Sequence, residues 1–412
     1  MNAPHAPLMF STVELAPRDP ILGITEAYAA DPNPNKVNLG VGVYYDDLGK
    51  LPLLECVKRA ERELTDKGAP RGYLPIDGIA AYDAAVKSLI FGADSDVVAA
   101  GRVVTVQALG GTGGLKVGAD FLRRFAPAAQ VYISTPSWEN HRALFEGAGF
   151  VVHEYAYYDA AVHGLDFAAM MASLQRIPAG SIVVLHACCH NPTGADPAEA
   201  QWSEIIEAVR SRGLLPFLDL AYQGFADGIE QDAAVVRRFA ATPGPLLVSS
   251  SFSKSFSLYG ERVGALSVVT SDRDEAARVL SQLKRVVRAN YSNPPTHGGQ
   301  MVAMVLGSPE LRALWEAELA MMRNRIKLMR AELVETLHER LPGLDFKYML
   351  AQRGMFSYSG LTKAQAQRLR DEFSIYVLDT GRICVAALNS RNIEAVANAV
   401  ATVIGERGTG RE

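Results

Sequence analysis

The segment SSSFSKSFSLYGERVG, residues 249–264, carries a lysine in a setting that suits chemistry. Lys254 follows an apolar run that ends in serines, and Arg262 lies eight residues further on. A lysine amine can bond to a carbonyl group as a Schiff base and can afterwards move protons. An isolated lysine is more often a solvated surface residue, so the interpretation depends on what other segments place beside it.

A glycine-rich turn is a candidate anion site. The segment GGTGGLKVGADFL (110–122) follows a predicted strand and opens a predicted helix. Glycines let backbone N–H groups approach an anion, and a helix N-terminus favours negative charge. Ser251 and Arg262 could add a hydroxyl and a fixed cation to the same phosphate. The turn matches neither a Walker A loop nor a dinucleotide fingerprint, and it could also be a plain strand-to-helix connection.

An acid at the end of a buried strand supplies a third group. Asp219 ends the apolar run LLPFLDL, and Tyr222 follows three residues later. A buried carboxylate must be paired or hydrogen-bonded. It could be a helix cap or a loop carboxylate, or it could pair with the protonated nitrogen of a pyridine ring. Asn191, in HACCHNPTGADP (186–197), and Tyr222 could both donate to a hydroxyl of such a ring, although Asn-Pro-Thr-Gly is also ordinary turn chemistry.

Aromatic and imidazole side chains complete this set. The segment PSWENH (136–141) offers Trp138 to stack on a ring. His141 and His186 could orient Asp219 or could serve a structural role. A lysine, a phosphate cradle, a carboxylate opposite a ring nitrogen and donors to a ring hydroxyl are together what a pyridoxal phosphate site needs.

The elements that must position these residues are apolar runs alternating with helical patterns. Continuous apolar runs favour strands buried on both faces of a parallel sheet, and the alternation predicts an α/β domain. A helix is expected after Asp196, which could cap it, with Pro197 at its first position. The helix-prone stretch 309–340 could lead to a second domain, in which 344–404 mixes strands and helices. The apolar runs span residues 101–109, 130–134, 181–189, 214–220, 245–253 and 265–270.

Composition limits the class of protein. The 412 residues suggest two domains, and a net charge of −4 without a basic block argues against a nucleic-acid partner. The four cysteines lack metal-ligand spacing, so reduced, buried thiols and no metal site are expected. No apolar run reaches membrane-spanning length, and the N-terminus lacks the features of a secretion signal. A cytoplasmic location without a membrane partner is therefore expected.

A series of motifs in family order resembles a class I aminotransferase of fold type I, in the aspartate/aromatic branch. The motifs cover roughly residues 18–404 and are highly specific in combination. Three residues differ from those usual in the family, namely Gly72, Gly114 and Ala387. These differences leave the chemistry intact but leave the substrate range open. The motifs are GGTG, PSWxNH, HxCCHNPTG, DLAYQGF, SFSKSFSLYGERVG, RANYSNPPTHG, GMFSYSGL and GRICVAALN.

The resemblance implies pyridoxal 5′-phosphate as the cofactor. Lys254 would be its Schiff-base lysine, and Asp219 would pair with its ring nitrogen. Asn191 and Tyr222 would donate to the ring hydroxyl, and Trp138 would stack on the ring. The phosphate would be held by Gly111, Thr112, Ser251 and Arg262, and by Tyr73 from a neighbouring subunit.

Substrate contacts are implied as well. Arg382 would bind the substrate α-carboxylate with help from Gly42 and Asn191, and Phe356 would line the pocket. Arg288 would arrive from the neighbouring subunit to meet a side-chain carboxylate. A guanidinium is a natural bidentate clamp for a carboxylate, although each arginine alone is more often part of a surface salt bridge.

The resemblance also implies a fold-type-I homodimer. A large α/β domain, residues 51–325, would carry the cofactor on a mostly parallel seven-stranded sheet flanked by helices. A smaller α/β domain would combine residues 18–50 with 326–412, and residues 1–17 would form an N-terminal arm. The reaction would be reversible ping-pong transfer of an amino group between an L-amino acid and a 2-oxo acid, with 2-oxoglutarate as an acceptor.

Two positions favour aromatic substrates beside acidic ones. Tyr45 and Leu51 resemble the aromatic branch, in which apolar contacts replace polar or cationic ones. Thr112 and Asn293 look more like the aspartate branch, and Tyr45 could be an ordinary surface aromatic. The expectation is a dual-specificity enzyme, with a strict aspartate aminotransferase as the alternative.

Three alternative functions are less consistent with the sequence. A nicotinamide dehydrogenase would need the missing dinucleotide fingerprint. A non-enzymatic relative should have lost the lysine or the arginine clamp, and neither is lost. Another pyridoxal phosphate reaction, such as decarboxylation, would be exposed by ketoacid formation without an acceptor.

Overall fold

The structure is a computed structural model that describes residues 10–16 and 22–405. The residues outside this description are 1–9 and 17–21, which include part of the predicted N-terminal arm (1–17), and 406–412. The strands are β1 (Val37–Asn38), β2 (Val103–Leu109), β3 (Val131–Thr135), β4 (Val152–Ala156), β5 (Tyr158–Asp159), β6 (Gly164–Leu165), β7 (Ile182–His186), β8 (Leu215–Leu220), β9 (Leu246–Ser251), β10 (Val263–Val269), β11 (Phe356–Tyr358), β12 (Ile375–Tyr376) and β13 (Arg382–Cys384). The helices are α1 (Leu22–Ala30), α2 (Glu55–Lys67), α3 (Ala80–Phe91), α4 (Asp96–Ala99), α5 (Gly110–Phe125), α6 (Glu139–Gly147), α7 (Phe167–Leu174), α8 (Glu199–Ser211), α9 (Ile229–Asp232), α10 (Ala234–Ala241), α11 (Arg273–Asn290), α12 (His297–Gly307), α13 (Pro309–Arg340), α14 (Tyr348–Ala351), α15 (Lys363–Phe373) and α16 (Ile393–Gly405). None of these described helices is both long and apolar enough to cross a membrane.

A seven-stranded sheet, ordered β2-β10-β9-β8-β7-β3-β4, forms the centre of the fold. All neighbouring strands are parallel except β10, which runs antiparallel to both β2 and β9. The six apolar runs in the sequence correspond to strands of this sheet, so the predicted mostly parallel α/β fold is confirmed. The sequence does not predict β4, because this strand lies at the sheet edge, where Glu154 is exposed and interrupts the apolar pattern.

Helix α5 presses directly against the sheet, which fixes the position of its N-terminus. A Cβ atom at Gly118 would lie 2.5 Å from Cζ of Phe217, and one at Gly114 would lie 2.5 Å from Oγ of Ser249. Larger side chains at these positions would push the helix away from the sheet. The first turn of α5 therefore stays at the end of β2, where Gly110 adopts a φ of 68° that costs glycine little.

The helix expected after Asp196 begins later than predicted. α8 starts at Glu199, and the Asp196 carboxylate instead accepts the backbone N–H groups of Cys189 and His190 at 2.7 and 2.8 Å. These two N–H groups lie in a buried loop after β7 and need an acceptor there. Asp196 therefore stabilises this loop, and the prediction that it caps α8 is wrong.

Helix α13 links the large sheet to the C-terminal part of the chain. Its bounds match the predicted helical stretch, and it begins where Oγ of Ser308 accepts the N–H of Leu311 at 3.3 Å. α13 packs against α2 and α12, and also against α14 and α16. In the C-terminal part, β12 pairs in parallel with β1 from near the N-terminus, and β11 pairs antiparallel with β13. The domain boundaries at residues 50/51 and 325/326 stay a prediction.

The four cysteines are buried, free thiols, as their spacing predicts. Burial raises the pKa of Cys384 to about 11, and burial likewise raises the pKa of Cys189 to about 11. These thiols are therefore protonated near neutral pH and pack as small apolar side chains.

Candidate active site

A cavity of about 230 Å³ lies at the carboxyl edge of the sheet, beyond the ends of β2, β7, β8 and β9. Parallel strands bring their carboxyl ends to one edge, so residues far apart in the sequence meet there. The lining includes Gly111, Thr112, Asp219, Ser251, Lys254 and Arg262. It also includes Gly42, Trp138, Asn191, Tyr222, Phe356 and Arg382. Most of the predicted site residues are therefore in one cavity.

Asp219 is a buried anion held by a histidine. Its Oδ2 atom lies 3.1 Å from Nε2 of His141, and Nδ1 of His141 lies 2.9 Å from Oγ of Ser137. An ionised carboxylate accepts the Nε2 proton, so Nδ1 accepts the hydroxyl proton of Ser137. Burial alone would raise the pKa of Asp219, but the hydrogen bond from His141 and the charge of Lys254 lower it below its usual value. Oδ1 of Asp219 has no hydrogen-bond partner among the described residues.

Two further buried histidines extend this cluster. The ring centroid of His186 lies 5.0 Å from that of His141 and 4.4 Å from that of His190. Neither ring nitrogen of His186 has a hydrogen-bond partner in the described part of the chain. Burial, reinforced by the neighbouring histidines, holds the pKa of His186 well below its usual range. His186 therefore packs as a neutral ring, whereas His141 makes the bond that orients Asp219. Donor atoms of these two histidines and Asp219 lie within 4.8 Å of one another, a spacing that would also suit a metal ion.

Lys254 carries an amine of lowered basicity. Its Nζ atom lies 4.8 Å from the ring centroid of Tyr222. Burial lowers the pKa of Lys254 to about 8, with repulsion from Arg262 and Arg382 adding to the effect and Asp219 opposing it. A pKa of about 8 leaves roughly a tenth of the amine neutral at pH 7, and nucleophilic attack and proton transfer both require the neutral amine.

The glycine-rich turn and Arg262 form a cradle for an anion. Gly111 and Thr112 lie in the first turn of α5, where backbone N–H groups lack helical partners. Nη1 of Arg262 donates to Oγ of Ser253 at 3.3 Å and to the backbone oxygen of Tyr259 at 3.0 Å. A Cβ atom at Gly110 would lie 2.4 Å from Nη2 of Arg262, so glycine is needed for this close approach. Arg262 has a φ of 56°, an uncommon conformation for a side-chain-bearing residue that its surroundings must hold in place.

Arg382 is a buried cation beside an amide and an aromatic ring. Its Nη1 donates to Oδ1 of Asn191 at 3.0 Å, and its Nη2 donates to the backbone oxygen of Gly40 at 2.6 Å. Its Cζ atom lies 4.2 Å from the ring centroid of Phe356. Nε of Arg382 has no partner among the described residues. A Cβ atom at Gly42 would lie 2.7 Å from Cζ of Phe356, so glycine lets the ring cover the guanidinium.

Four predicted residues do not line this cavity. Tyr73 is 96% exposed, and Arg288 is an exposed residue that donates to Oγ of Ser292. Leu51 is also exposed. Tyr45 is half-buried, and its backbone atoms bond to Ala386 and Arg325. Within one chain these side chains are therefore absent from the cavity, as expected for Tyr73 and Arg288 if a neighbouring subunit supplies them.

Several lining residues were not predicted. Ser253 bonds to Arg262, and the hydroxyl oxygen of Tyr259 accepts the N–H of Tyr44 at 3.0 Å. Both lie within the motif around Lys254, so proximity in sequence was the available signal. His190 does not line the cavity. It precedes Asn191 in the sequence, but its ring joins the histidine cluster only through the fold of the loop after β7, where Asp196 accepts its N–H. The remaining unpredicted lining residues are Val41, Val43, Leu115 and Ala221.

The arrangement fits pyridoxal phosphate. The free Oδ1 of buried Asp219 is an anionic acceptor for a protonated ring nitrogen. The first turn of α5 and Arg262 suit a phosphate, and the amine of Lys254 opens onto the same cavity. An unpaired buried acceptor, an anion cradle and an amine of lowered pKa are the donor and acceptor set that this cofactor requires.

Comparison with known proteins agrees with this geometry. The family model "Aminotransferase class I and II" matches residues 34–400. An aspartate aminotransferase of Pseudomonas aeruginosa is 61% identical over 96% of this chain and 100% of its own length, and an aromatic-amino-acid aminotransferase of Escherichia coli is 51% identical over the same shares. The crystal structure of an aromatic-amino-acid aminotransferase from Burkholderia pseudomallei, covalently bound to pyridoxal phosphate, superposes with a TM-score of 0.94 at 65% identity, covering 96% of this chain and 99% of that one. The chain belongs to the class I and II aminotransferase family.

Proposed function

We propose that this aminotransferase moves an amino group between an aromatic or acidic L-amino acid and 2-oxoglutarate, in a ping-pong cycle that uses pyridoxal phosphate. The observation that carries the proposal is one cavity that contains the amine of Lys254, the buried carboxylate of Asp219 and the buried guanidinium of Arg382. The names of relatives that act on aspartate and on aromatic amino acids support both substrate classes. The neighbour with covalently bound pyridoxal phosphate supports the cofactor.

Each part of the cofactor has a candidate partner. Asp219 would pair with the ring nitrogen, Asn191 and Tyr222 would donate to the ring hydroxyl, and Trp138 would pack on the ring. Lys254 would bond to it covalently. Bound there, the cofactor would withdraw electrons from the substrate α-carbon. The phosphate would be held by Gly111, Thr112, Ser251 and Arg262, with Ser253 behind Arg262.

Once the incoming amine has freed it from the cofactor, Lys254 is the proposed base at the substrate α-carbon. Burial lowers its pKa to about 8, so the neutral amine is accessible at physiological pH. Asp219 stays ionised because His141 donates to it. The hydrogen bond from Ser137 fixes the tautomer of His141 that makes this donation possible. The histidine thus acts through Asp219, and Lys254 acts on the substrate.

Arg382 is the proposed clamp for the substrate α-carboxylate. Its guanidinium is fixed by Asn191 and Gly40, so little side-chain freedom is lost when a carboxylate binds. Tyr73 and Arg288 would complete the site from a second copy of the chain, which makes a homodimer the functional unit. Their exposure in one chain is consistent with this assembly. A cytoplasmic location is proposed with it and fits the four free cysteines.

Substrate range separates the main proposal from a strict aspartate aminotransferase. The decisive measurement is kcat/KM for phenylalanine and tyrosine beside aspartate, with 2-oxoglutarate as acceptor. We expect the aromatic values to lie within about a thousandfold of the aspartate value, a gap of roughly 4 kcal/mol. A larger deficit would favour the strict aspartate enzyme. Absence of amino transfer to any 2-oxo acid would refute both.

A further inference from the structure

A second cavity, of about 600 Å³, lies beside the edge strand β2. Its walls come from α3, the loop that precedes α3, and α11. None of the residues assigned above to the cofactor or the substrate lines it. The amino-transfer chemistry therefore leaves this cavity unexplained.

Asp83 is a buried carboxyl group in the wall of this second cavity. It is 8% exposed, and its Oδ1 atom has no hydrogen-bond partner among the described residues. The neighbouring phenols donate elsewhere, since Tyr82 bonds to the backbone oxygen of Gly264 and Tyr291 to that of Gln107. A buried acceptor without a donor is destabilising, so a donor supplied by a ligand would be favourable here.

Cations on two other elements also face the cavity. Lys284 of α11 is paired with Asp77 of the loop, with Nζ and Oδ2 2.9 Å apart. Lys87, one turn after Asp83 on α3, and Arg273 at the start of α11 line the cavity without an ion pair in the described part of the chain. The side chains thus offer one buried acceptor together with two unpaired cations.

We propose that this cavity is a binding site for a small zwitterion of the amino-acid type, with its ammonium group at Asp83 and its carboxylate at Lys87 and Arg273. A simple cation would meet Asp83 but would be repelled by the two unpaired cations. A simple anion would meet the cations but would be repelled by Asp83 whenever that carboxyl is ionised. A zwitterion satisfies both sets of groups, and this inference does not depend on the proposed substrates of the first cavity.

The protonation of Asp83 gives the site a pH dependence. Burial, with repulsion from Asp77, raises the pKa of Asp83 to about 8, while Lys87 and Lys284 oppose the increase. An ammonium group is bound best by the ionised carboxylate, so zwitterion affinity should increase as pH rises through about 8. A site for a simple anion would behave in the opposite way, because ionised Asp83 would repel it.

The test is calorimetric titration of the holoenzyme with glycine and with acetate, which lacks the ammonium group. An Arg382→Met background removes the carboxylate clamp of the first cavity from every sample, and borohydride reduction beforehand removes the reactive cofactor carbon that would otherwise take up the amine of glycine. We expect glycine to bind once per chain, more tightly at about pH 8.5 than at about pH 6.5, and acetate to bind much more weakly. Asp83→Asn should weaken glycine binding at least about tenfold. Asp66→Asn, which removes an exposed acid of α2, is the charge-matched control and should leave it unchanged.

Three outcomes would overturn the proposal. Acetate that binds as tightly as glycine, and more tightly still to Asp83→Asn, would identify a simple anion site. No saturable glycine binding would mean that the cavity holds only water. Equal glycine affinity in the Asp83 and Asp66 variants would exclude Asp83 as the ammonium partner. If Asp83→Asn does not fold, Lys87→Met should still weaken glycine binding, and unchanged binding there would reject the assigned carboxylate contact.

Discussion

The inner and outer parts of the active site differ in how completely one chain builds them. On the inner side, Asp219 is fixed by His141, and Arg262 is fixed by Ser253 and a backbone oxygen. On the outer side, Tyr73 and Arg288 are exposed and lie outside the cavity. The contrast teaches that one chain positions most of the groups proposed for the cofactor, whereas Tyr73 and Arg288 reach a site only through a further contact, which we propose to be a second copy of the chain.

The largest expected effect is on the inner side, at Lys254. Lys254→Ala removes the proposed base, so kcat should fall by at least ~10²–10⁴-fold, while the remaining contacts still bind the cofactor. Borohydride reduction of the wild-type holoenzyme should leave the cofactor on the peptide that contains Lys254. Lys67→Ala, at the exposed end of α2, is the matched control and should keep wild-type activity. Cofactor trapped on another lysine would overturn the assignment.

Asp219→Asn should have the next largest effect. The substitution keeps the side-chain shape but removes the anion, and loss of one partner of a buried charge pair costs about 2–5 kcal/mol. We expect kcat/KM to fall by the corresponding factor for aspartate and for tyrosine alike, because the cofactor serves both. Asp94→Asn, an exposed acid before α4, should leave both values unchanged. Activity near wild type in Asp219→Asn would mean that this carboxylate is only structural.

The outer side can be tested with mixed dimers. Lys254→Ala and Arg288→Ala subunits, each nearly inactive with aspartate, should regain activity when they are mixed. A hybrid dimer has one intact site, and random mixing makes half of the dimers hybrid, so about a quarter of wild-type activity should return. Separately tagged subunits allow the hybrids to be isolated and assayed. Inactive hybrids would show that each subunit builds its own site, so that the inner and outer sides would not differ in their dependence on a second chain.

The smallest expected effect concerns Tyr45 and Leu51. In one chain neither side chain lines the cavity, so any contact with an aromatic substrate requires the assembled enzyme. Replacing both with serine should lower kcat/KM for tyrosine by an amount equivalent to up to about 1.5–3 kcal/mol of apolar burial. The value for aspartate should change little. Equal decreases for both substrates would show that these residues do not form an aromatic wall.

Local patterns in the sequence were sufficient to predict which residues lie on the inner side of the active site. Asp219 and Lys254 each follow or end an apolar run, and parallel strands bring such positions to one edge. The position of Arg382 in the site was predicted only through resemblance to the family, because β13 is a three-residue strand and is too short to show a periodic pattern. The helical pattern of α11 indicates which of its residues are buried, but it could not show what the exposed Arg288 contacts.

The sequence by itself determined the α/β class, the six apolar strands and helix α13, because apolar runs and helical periodicity record burial locally. Tertiary structure alone decided that β10 runs antiparallel, that β4 joins as an edge strand and that Asp196 holds the loop after β7 instead of capping α8. It also decided that His186 has no hydrogen-bond partner within residues 10–16 and 22–405 and that Asp83 is buried beside a second cavity. Strand order, loop acceptors and unpaired buried groups depend on contacts between residues far apart in the chain, and a local pattern carries no information about those contacts.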